Sequence, residues 1–262
     1  MYKLIPKKVW SIYTKKTCQS LGNNKSQSIK ILFLNLYKID LLDAEKCKDL
    51  DKKDKKYRYL CAKQFKDLND IFTRKRVDIR IDPFARIVSP ADSMFSFYES
   101  QHGRDIMVKS HKFEIHNMLD NRKELIEKFE NAAILIFYLS PKDYHRFHVP
   151  IDNMKIKRVI PIAGDYYTVK PGTVKKIPVY DKNKRAILEL EDENVIMLII
   201  GATCVGSIDI DVNASQKGEE LGMFKFGGST CILLVNNLNT DEIEKLKKMD
   251  GKNVKVGDRI LL

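Results

Sequence analysis

Residues 226–235 read FGGSTCILLV. Two glycines stand directly before a pair of hydroxyl residues, Ser229 and Thr230, and an unbroken apolar run follows. A run of this length, rich in branched side chains, reads as a buried strand. Glycine tolerates φ > 0 and serine is common in turns, so the simplest account of GGS is a tight turn into that strand. The stretch AAILIFYL at 132–139 reads as a second core strand on the same grounds.

Working outward from these strands, the chain after Val77 is a series of short apolar runs with turn residues between them: IRID, RIVSP, MFSFY and KFEIH. One helix is expected near 119–131 (LDNRKELIEKFEN). Before Val77 the texture is different. The segment from about 43 to 70 is rich in Lys, Asp and Leu and reads as helix, and IKILFLNLYKI at 29–39 is too short to span a bilayer. Helices first and strands after predict an α+β fold with a barrel-like or sandwich core. The expected division is a helical region over 1–76 and a β-rich domain over 77–262.

The 262 residues carry a formal net charge of +12, with 44% hydrophobic and 31% charged residues. No run approaches the ~18 apolar residues of a membrane-spanning helix. Five cysteines (Cys18, Cys47, Cys61, Cys204 and Cys231) lack CxxC spacing and are odd in number. They suggest a reducing compartment, and neither a disulfide framework nor a zinc site. A basic surface suits nucleic acid or an anionic membrane, but no zinc-finger, KH or RRM signature is present. The lysine richness is also compatible with compositional bias, since Asn and Ile are abundant too. Its placement is uneven, because the first 39 residues hold eight lysines and no acidic residue. Within them, Ile5, Val9, Ile12 and Tyr13 share one helical face, with Trp10 beside it. Such a helix fits a lipid interface, or packs on the protein's own core.

Three stretches carry potential chemistry. In RIVSPADSMFSF at 86–97, Asp92 sits in a turn, where aspartate commonly bonds its own backbone. DYHRFHVP at 143–150 places His145 and His148 three apart; on a strand they point to opposite sides, and no further ligand pattern supports a metal. General-base work near neutral pH is the better reading of this pair. In KGEELGMFKFGGST at 217–230 the usual GxSxG elbow around an activated serine is absent. Here the telling feature is that Gly228 precedes Ser229, since a carbonyl unshielded by Cβ is open to the next residue's hydroxyl.

In this order, NDIFTRKR at 69–76, VSPAD, YHRFH, GATCVGSI at 201–208 and KGEELGMFKFGGST resemble the pyruvoyl-dependent phosphatidylserine decarboxylase family. The likeness extends upstream to YKIDLLDAE and covers nearly the whole chain. One departure is Ser93, where the family usually has Gly after VSPAD. The resemblance implies that Asp92, His148 and Ser229 drive self-processing. Cleavage between Gly228 and Ser229 would give a β chain (1–228), an α chain (229–262) and a covalent pyruvoyl group at Ser229. That group would form a Schiff base with phosphatidylserine and yield phosphatidylethanolamine and CO₂, with His145 or His148 as the reprotonating acid and no metal. The resemblance further implies peripheral attachment to a membrane, at the cytoplasmic face of the cell membrane or on an organelle, and a homodimer of αβ units. The alternatives are a pyruvoyl decarboxylase of a soluble amino acid and an uncleaved, non-enzymatic lipid-binding protein.

Overall fold

The computed structural model describes residues 17, 19–99, 106–108, 111–113, 115–174, 177–202, 208–227 and 229–262. The amphipathic segment at 3–16 and Gly228 lie outside these residues, as does most of GATCVGSI.

β1 (Ile87–Val88) and β2 (Ser93–Tyr98) flank the bend that holds Asp92. β3 (Ile106–Val108) and β4 (His111–Phe113) pair antiparallel. β5 (Ala133–Leu139), β6 (Arg146–His148) and β7 (Ile156–Ile162) follow. Next come β8 (Arg185–Leu190), β9 (Val195–Gly201) and β10 (Ile208–Ile210). β11 (Glu220–Phe224) and β12 (Ser229–Val235) precede the C-terminal β13 (Asn253–Val254) and β14 (Arg259–Leu261).

The largest sheet has seven strands in the order β13-β2-β5-β12-β9-β8-β7. Its central strand is β12, and every residue of it is buried. It pairs antiparallel with β5 from Ser229↔Leu139 to Val235↔Ala133, and with β9 from Ser229↔Gly201 to Val235↔Val195. Both faces of β5, β12, β9 and β8 are covered, which is why these strands read as nearly continuous apolar runs, whereas β2 and the edge strand β7 alternate in burial. Phe95, Phe137, Met197, Cys231 and Leu233 face one core, which also takes Phe147, Leu221 and Phe224 from β6 and β11. Ile136, Leu198, Ile232 and Leu234 face the other, beneath Leu125, Phe129, Val179 and Tyr180 from helices.

The α+β class is as expected, but the sheet does not close into a barrel, since β13 and β7 stand at its two ends. β7 is a protected edge. Pro161 removes a donor, and the exposed Lys157 and neighbouring Arg158 discourage pairing with another strand.

The helical layer is more broken than expected. A helix over Gln27–Leu36 is followed by a 3₁₀ turn at Glu45–Cys47 and helices at Tyr57–Lys63 and Leu68–Phe72. Asp51 and Asp54 accept the N–H groups of Lys53 and Lys56, side-chain bonds that compete with a continuous helix. The layer has its own core, built from residues of 33–72 with Phe226 added. The cysteine reading is corrected here too: Cys47 and Cys61 are disulfide-bonded inside this core, with Cα atoms 5.3 Å apart, while Cys231 is free and buried. Their 14-residue separation matches no short spacing motif.

The helix expected near 119–131 is confined to Lys123–Phe129, because Asp120 and Asn121 adopt positive φ just before it. Short helices at Ile115–Met118, Pro171–Val174 and Val179–Lys182, and a longer one at Thr240–Met249, were not anticipated.

Candidate active site

Asp92 is buried in the bend between β1 and β2. Its carboxylate accepts from Arg76 Nη1 at 2.5 Å, from Lys255 Nζ at 3.0 Å and from the Val256 N–H at 3.0 Å. Arg76 also pairs with Asp43 and Asp78, each at 2.7 Å. Burial opposes the guanidinium charge, but the hydrogen bond to Asp78 and the charges of Asp92 and Asp43 outweigh it and raise the Arg76 pKa.

His148 closes β6, and its backbone N–H donates to the Pro90 carbonyl at 2.8 Å, tying this strand to the Asp92 bend. Its Nδ1 lies 2.8 Å from the Gly218 carbonyl, which can only accept, so Nδ1 carries the proton. Nε2 is then the acceptor for the Tyr144 hydroxyl at 3.1 Å. Burial lowers the His148 pKa despite the opposing hydrogen bond to Gly218 and the charges of Glu220 and Asp92. The ring is a neutral base.

His145 faces different surroundings. Its ring stacks on Phe72 with centroids 3.6 Å apart, and Nδ1 donates to the Asp143 carbonyl at 2.8 Å. Nε2 is buried and has no hydrogen-bond partner. Full burial drives its pKa down to about 3. It too is neutral at physiological pH, with a bare lone pair.

Ser229 is fully buried at the first position of β12, and its Oγ also has no hydrogen-bond partner. Strand alternation puts it on the same face as Cys231 and Leu233, whose core also takes Phe147 from β6 and Leu221 and Phe224 from β11. A buried polar atom left unsatisfied is uncommon and costly, and a catalytic role is one of the explanations for it; the Thr230 hydroxyl beside it is buried without a partner as well. Gly201 stands opposite Ser229 in register, leaving that side of the hydroxyl without a facing side chain from β9. Two residues upstream, Gly227 has φ +146°, a conformation that L side chains rarely adopt.

The fold thus sets Asp92 and His148 on adjoining segments, with their hydrogen bonds directed to other groups: Arg76, Lys255 and Val256 for Asp92, and Tyr144 and Gly218 for His148. Sequence reading singled out neither Tyr144 nor Arg76. Tyr144 stands beside His145 in the quoted motif, and the Arg76 guanidinium lies 5.5 Å from the centroid of its ring. Nothing in local spacing flags either residue.

Comparison with known proteins bears on the same segments. A family model described as phosphatidylserine decarboxylase matches residues 68–262. A Clostridium tetani protein named phosphatidylserine decarboxylase proenzyme is 36% identical over 212 residues, covering 75% of this chain and 71% of the relative. A Clostridium acetobutylicum protein, phosphatidylserine decarboxylase proenzyme 2, is 32% identical over 254 residues, covering 92% of this chain and 81% of the relative. A Saccharomyces cerevisiae protein, also named proenzyme 2, is 32% identical over 241 residues; these cover 84% of this chain and 20% of that longer protein.

Proposed function

This chain belongs to the phosphatidylserine decarboxylase family, and from that premise we propose that it is a self-processing decarboxylase converting phosphatidylserine to phosphatidylethanolamine and CO₂. The observation that carries the reading is Ser229: a buried hydroxyl without a hydrogen-bond partner, at the head of the central strand and directly after two glycines.

In the proposed processing step, neutral His148 takes the Ser229 proton and Oγ attacks the Gly228 carbonyl. The peptide C–N bond breaks, an ester C–O bond forms, and the amine of residue 229 is released. Loss of the residue 229 α-proton then expels the Gly228 carboxylate and leaves dehydroalanine. Water hydrolyses the tautomeric imine, releasing ammonia and leaving a pyruvoyl group on the new N-terminus. Asp92 is held by Arg76, Lys255 and Val256, so it acts on His148 as a fixed negative charge favouring the imidazolium. Catalytic hydrogen bonds commonly tighten only as the reacting geometry forms.

The pyruvoyl group would supply an electron sink for the carbon that loses CO₂. Its place at the end of β12 suits it, being buried and free of a facing side chain from Gly201. His145 or His148 is the candidate for the proton return to that carbon; both rings are neutral in the uncut chain, so either serves as the acid only after it has taken up a proton during the reaction. One observation favours His145 as the processing base instead: its Nε2 is bare, whereas His148 Nε2 is occupied by Tyr144.

The cleaved product is then a β chain of 1–228 and an α chain of 229–262, assembled as a homodimer of αβ units. Region 1–76 associates with the membrane and 77–262 forms the catalytic domain. Among the described residues no helix is long and apolar enough to cross a membrane. The basic N-terminal region supports peripheral attachment at the cytoplasmic face of the cell membrane or on an organelle membrane.

Intact mass and a denaturing gel test the reading. The wild type should separate into two chains, the smaller blocked to Edman degradation and beginning at position 229. Ser229→Ala should stay full length. If Ser229→Ala is still cut at this bond, or the wild type decarboxylates uncut, the mechanism is wrong. His145→Ala and His148→Ala decide between the two histidines by which of them abolishes cleavage.

A further inference from the structure

The segment leading into the proposed cleavage point is gripped by the helical layer. Phe226 is buried in that layer's core, whose other buried members all come from residues 33–72. Its ring lies 5.4 Å from the Phe33 ring and 5.5 Å from the Phe72 ring, centroid to centroid. Its backbone N–H donates to Oδ1 of Asn69 at 3.0 Å. Asn69 belongs to the helix Leu68–Phe72, which is capped by the Asp67 side chain, and its Nδ2 donates to Asn23 Oδ1 at 3.2 Å.

Three residues on, Ser229 is fixed between Leu139 and Gly201 in the central sheet. Two anchors in different layers therefore bracket a pair of glycines, across a span of at most about 11 Å. Glycines supply no stiffness of their own. A hydroxyl attacking a carbonyl must be held at roughly 3–3.5 Å in the right orientation, so the order has to come from the anchors.

We propose that Asn69, with Phe226 seated beside it, is a positioning clamp for self-cleavage, by which the helical layer holds the upstream half of the scissile segment against the hydroxyl of Ser229. The inference rests on the reading of cleavage between residues 228 and 229. It gives the N-terminal helices a role in processing in addition to any contact with lipid. Once the bond is cut, the clamp holds only the end of the β chain and no longer bears on position 229. A purely structural role for Asn69 would impair both reactions; a clamp impairs only the first.

The test is a pulse-chase of cell-free synthesised full-length chain, comparing wild type, Asn69→Leu and Asn69→Asp, with pyruvoyl content and decarboxylation measured on the cleaved fraction. Asn69 is the position to vary, because Phe72 stacks on His145 as well as packing tilted against Phe226. Asn69→Leu removes the acceptor and should slow chain separation about tenfold to a hundredfold, with turnover per pyruvoyl group within about twofold of wild type. Asn69→Asp keeps an acceptor for the Phe226 N–H and should cleave close to the wild-type rate, which guards against a variant that merely misfolds. Wild-type cleavage rates in Asn69→Leu, equal slowing in Asn69→Asp, or a parallel loss of turnover per pyruvoyl group would each overturn the clamp. An uncut wild-type chain would remove the parent reading, and the clamp with it.

Discussion

The Tyr144 hydroxyl donates to Nε2 of His148 at 3.1 Å, while the same imidazole gives its Nδ1 proton to the Gly218 carbonyl at 2.8 Å. Burial pushes the Tyr144 pKa up, so this hydroxyl stays a donor across the working pH range. A donor on Nε2 favours the neutral ring, and removing it should make His148 more basic. Tyr144→Phe should therefore move the acid limb of the cleavage pH profile upward and cost about 1–2 kcal/mol, since a buried lone pair loses its partner. Cleavage rate against pH and a urea titration check the two effects. An unmoved acid limb would mean that His148 is not the group titrating in that step.

His145 makes a second pH prediction. Its pKa falls from the usual 6.5 to about 3 in the folded chain, because burial penalises the imidazolium. Between those values the unfolded chain binds the extra proton, so acid favours unfolding. The contribution is fully present above pH 6.5 and is lost as pH falls toward 3, at a slope of about 1.4 kcal/mol per pH unit. Denaturant titrations from pH 7 to 4 should show a shallower acid loss in His145→Asn than in wild type. The lowered pKa of His148 works in the same direction, so some slope remains in the variant.

Arg76 bridges Asp43, Asp78 and Asp92, with its side chain only 7% exposed. Arg76→Leu leaves Asp92 buried without its closest cation and should cost about 3–5 kcal/mol, together with slower cleavage. Arg76→Lys should recover only part, because a single ammonium cannot reproduce the guanidinium fork. Lys255 reaches the same carboxylate from a side chain that is 65% exposed, so Lys255→Ala should cost less than about 1 kcal/mol. Chemical denaturation of all three variants, with cleavage followed in parallel, tests the order.

These contacts mark where the sequence stops being informative. β5 and β12 are legible because burial on both faces leaves continuous apolar runs. Asp92, His148 and Ser229 are conspicuous through the motifs around them. Their partners are not, because the bond from Arg76 to Asp92 spans 16 residues and that from Lys255 spans 163, which no local pattern encodes. The long helix expected over 43–70 failed for a local reason, since aspartates that look solvated cap turns inside it. The helix at Thr240–Met249 was readable and missed: Asn239 and Glu242 form a capping box whose spacing is a recognised start signal.

Gly227 offers a test of the turn before the cleavage point. Its φ of +146° is open to glycine and strained for any residue bearing Cβ. Gly227→Ala should slow cleavage and destabilise the uncut chain by about 1 kcal/mol or more. Because Phe226 and Ser229 are anchored on either side, the strain cannot relax by shifting the loop along the chain. Alanine accepted here with an unchanged cleavage half-life would show that this backbone angle has no part in the reaction.

The last prediction concerns the surface that meets lipid. On the helix Gln27–Leu36, Phe33 and Leu34 are buried, whereas Leu32 and Leu36, four residues apart on one face, are 64% and 69% exposed. The lysine-rich, acid-free first 39 residues include this helix. Each lysine near an anionic surface contributes roughly 1 kcal/mol, and apolar side chains entering the interface add a part that salt does not screen. Binding to vesicles of mixed phosphatidylserine and phosphatidylcholine should therefore weaken as salt rises without vanishing. Leu32→Ser with Leu36→Ser should convert this to nearly complete release at high salt. Deletion of residues 1–20 should lower binding at every salt concentration. Self-cleavage should survive in both variants, because Asn69, Phe226 and Ser229 lie in segments that neither change removes. If both variants sediment as wild type does, the membrane contact lies on another face of the protein.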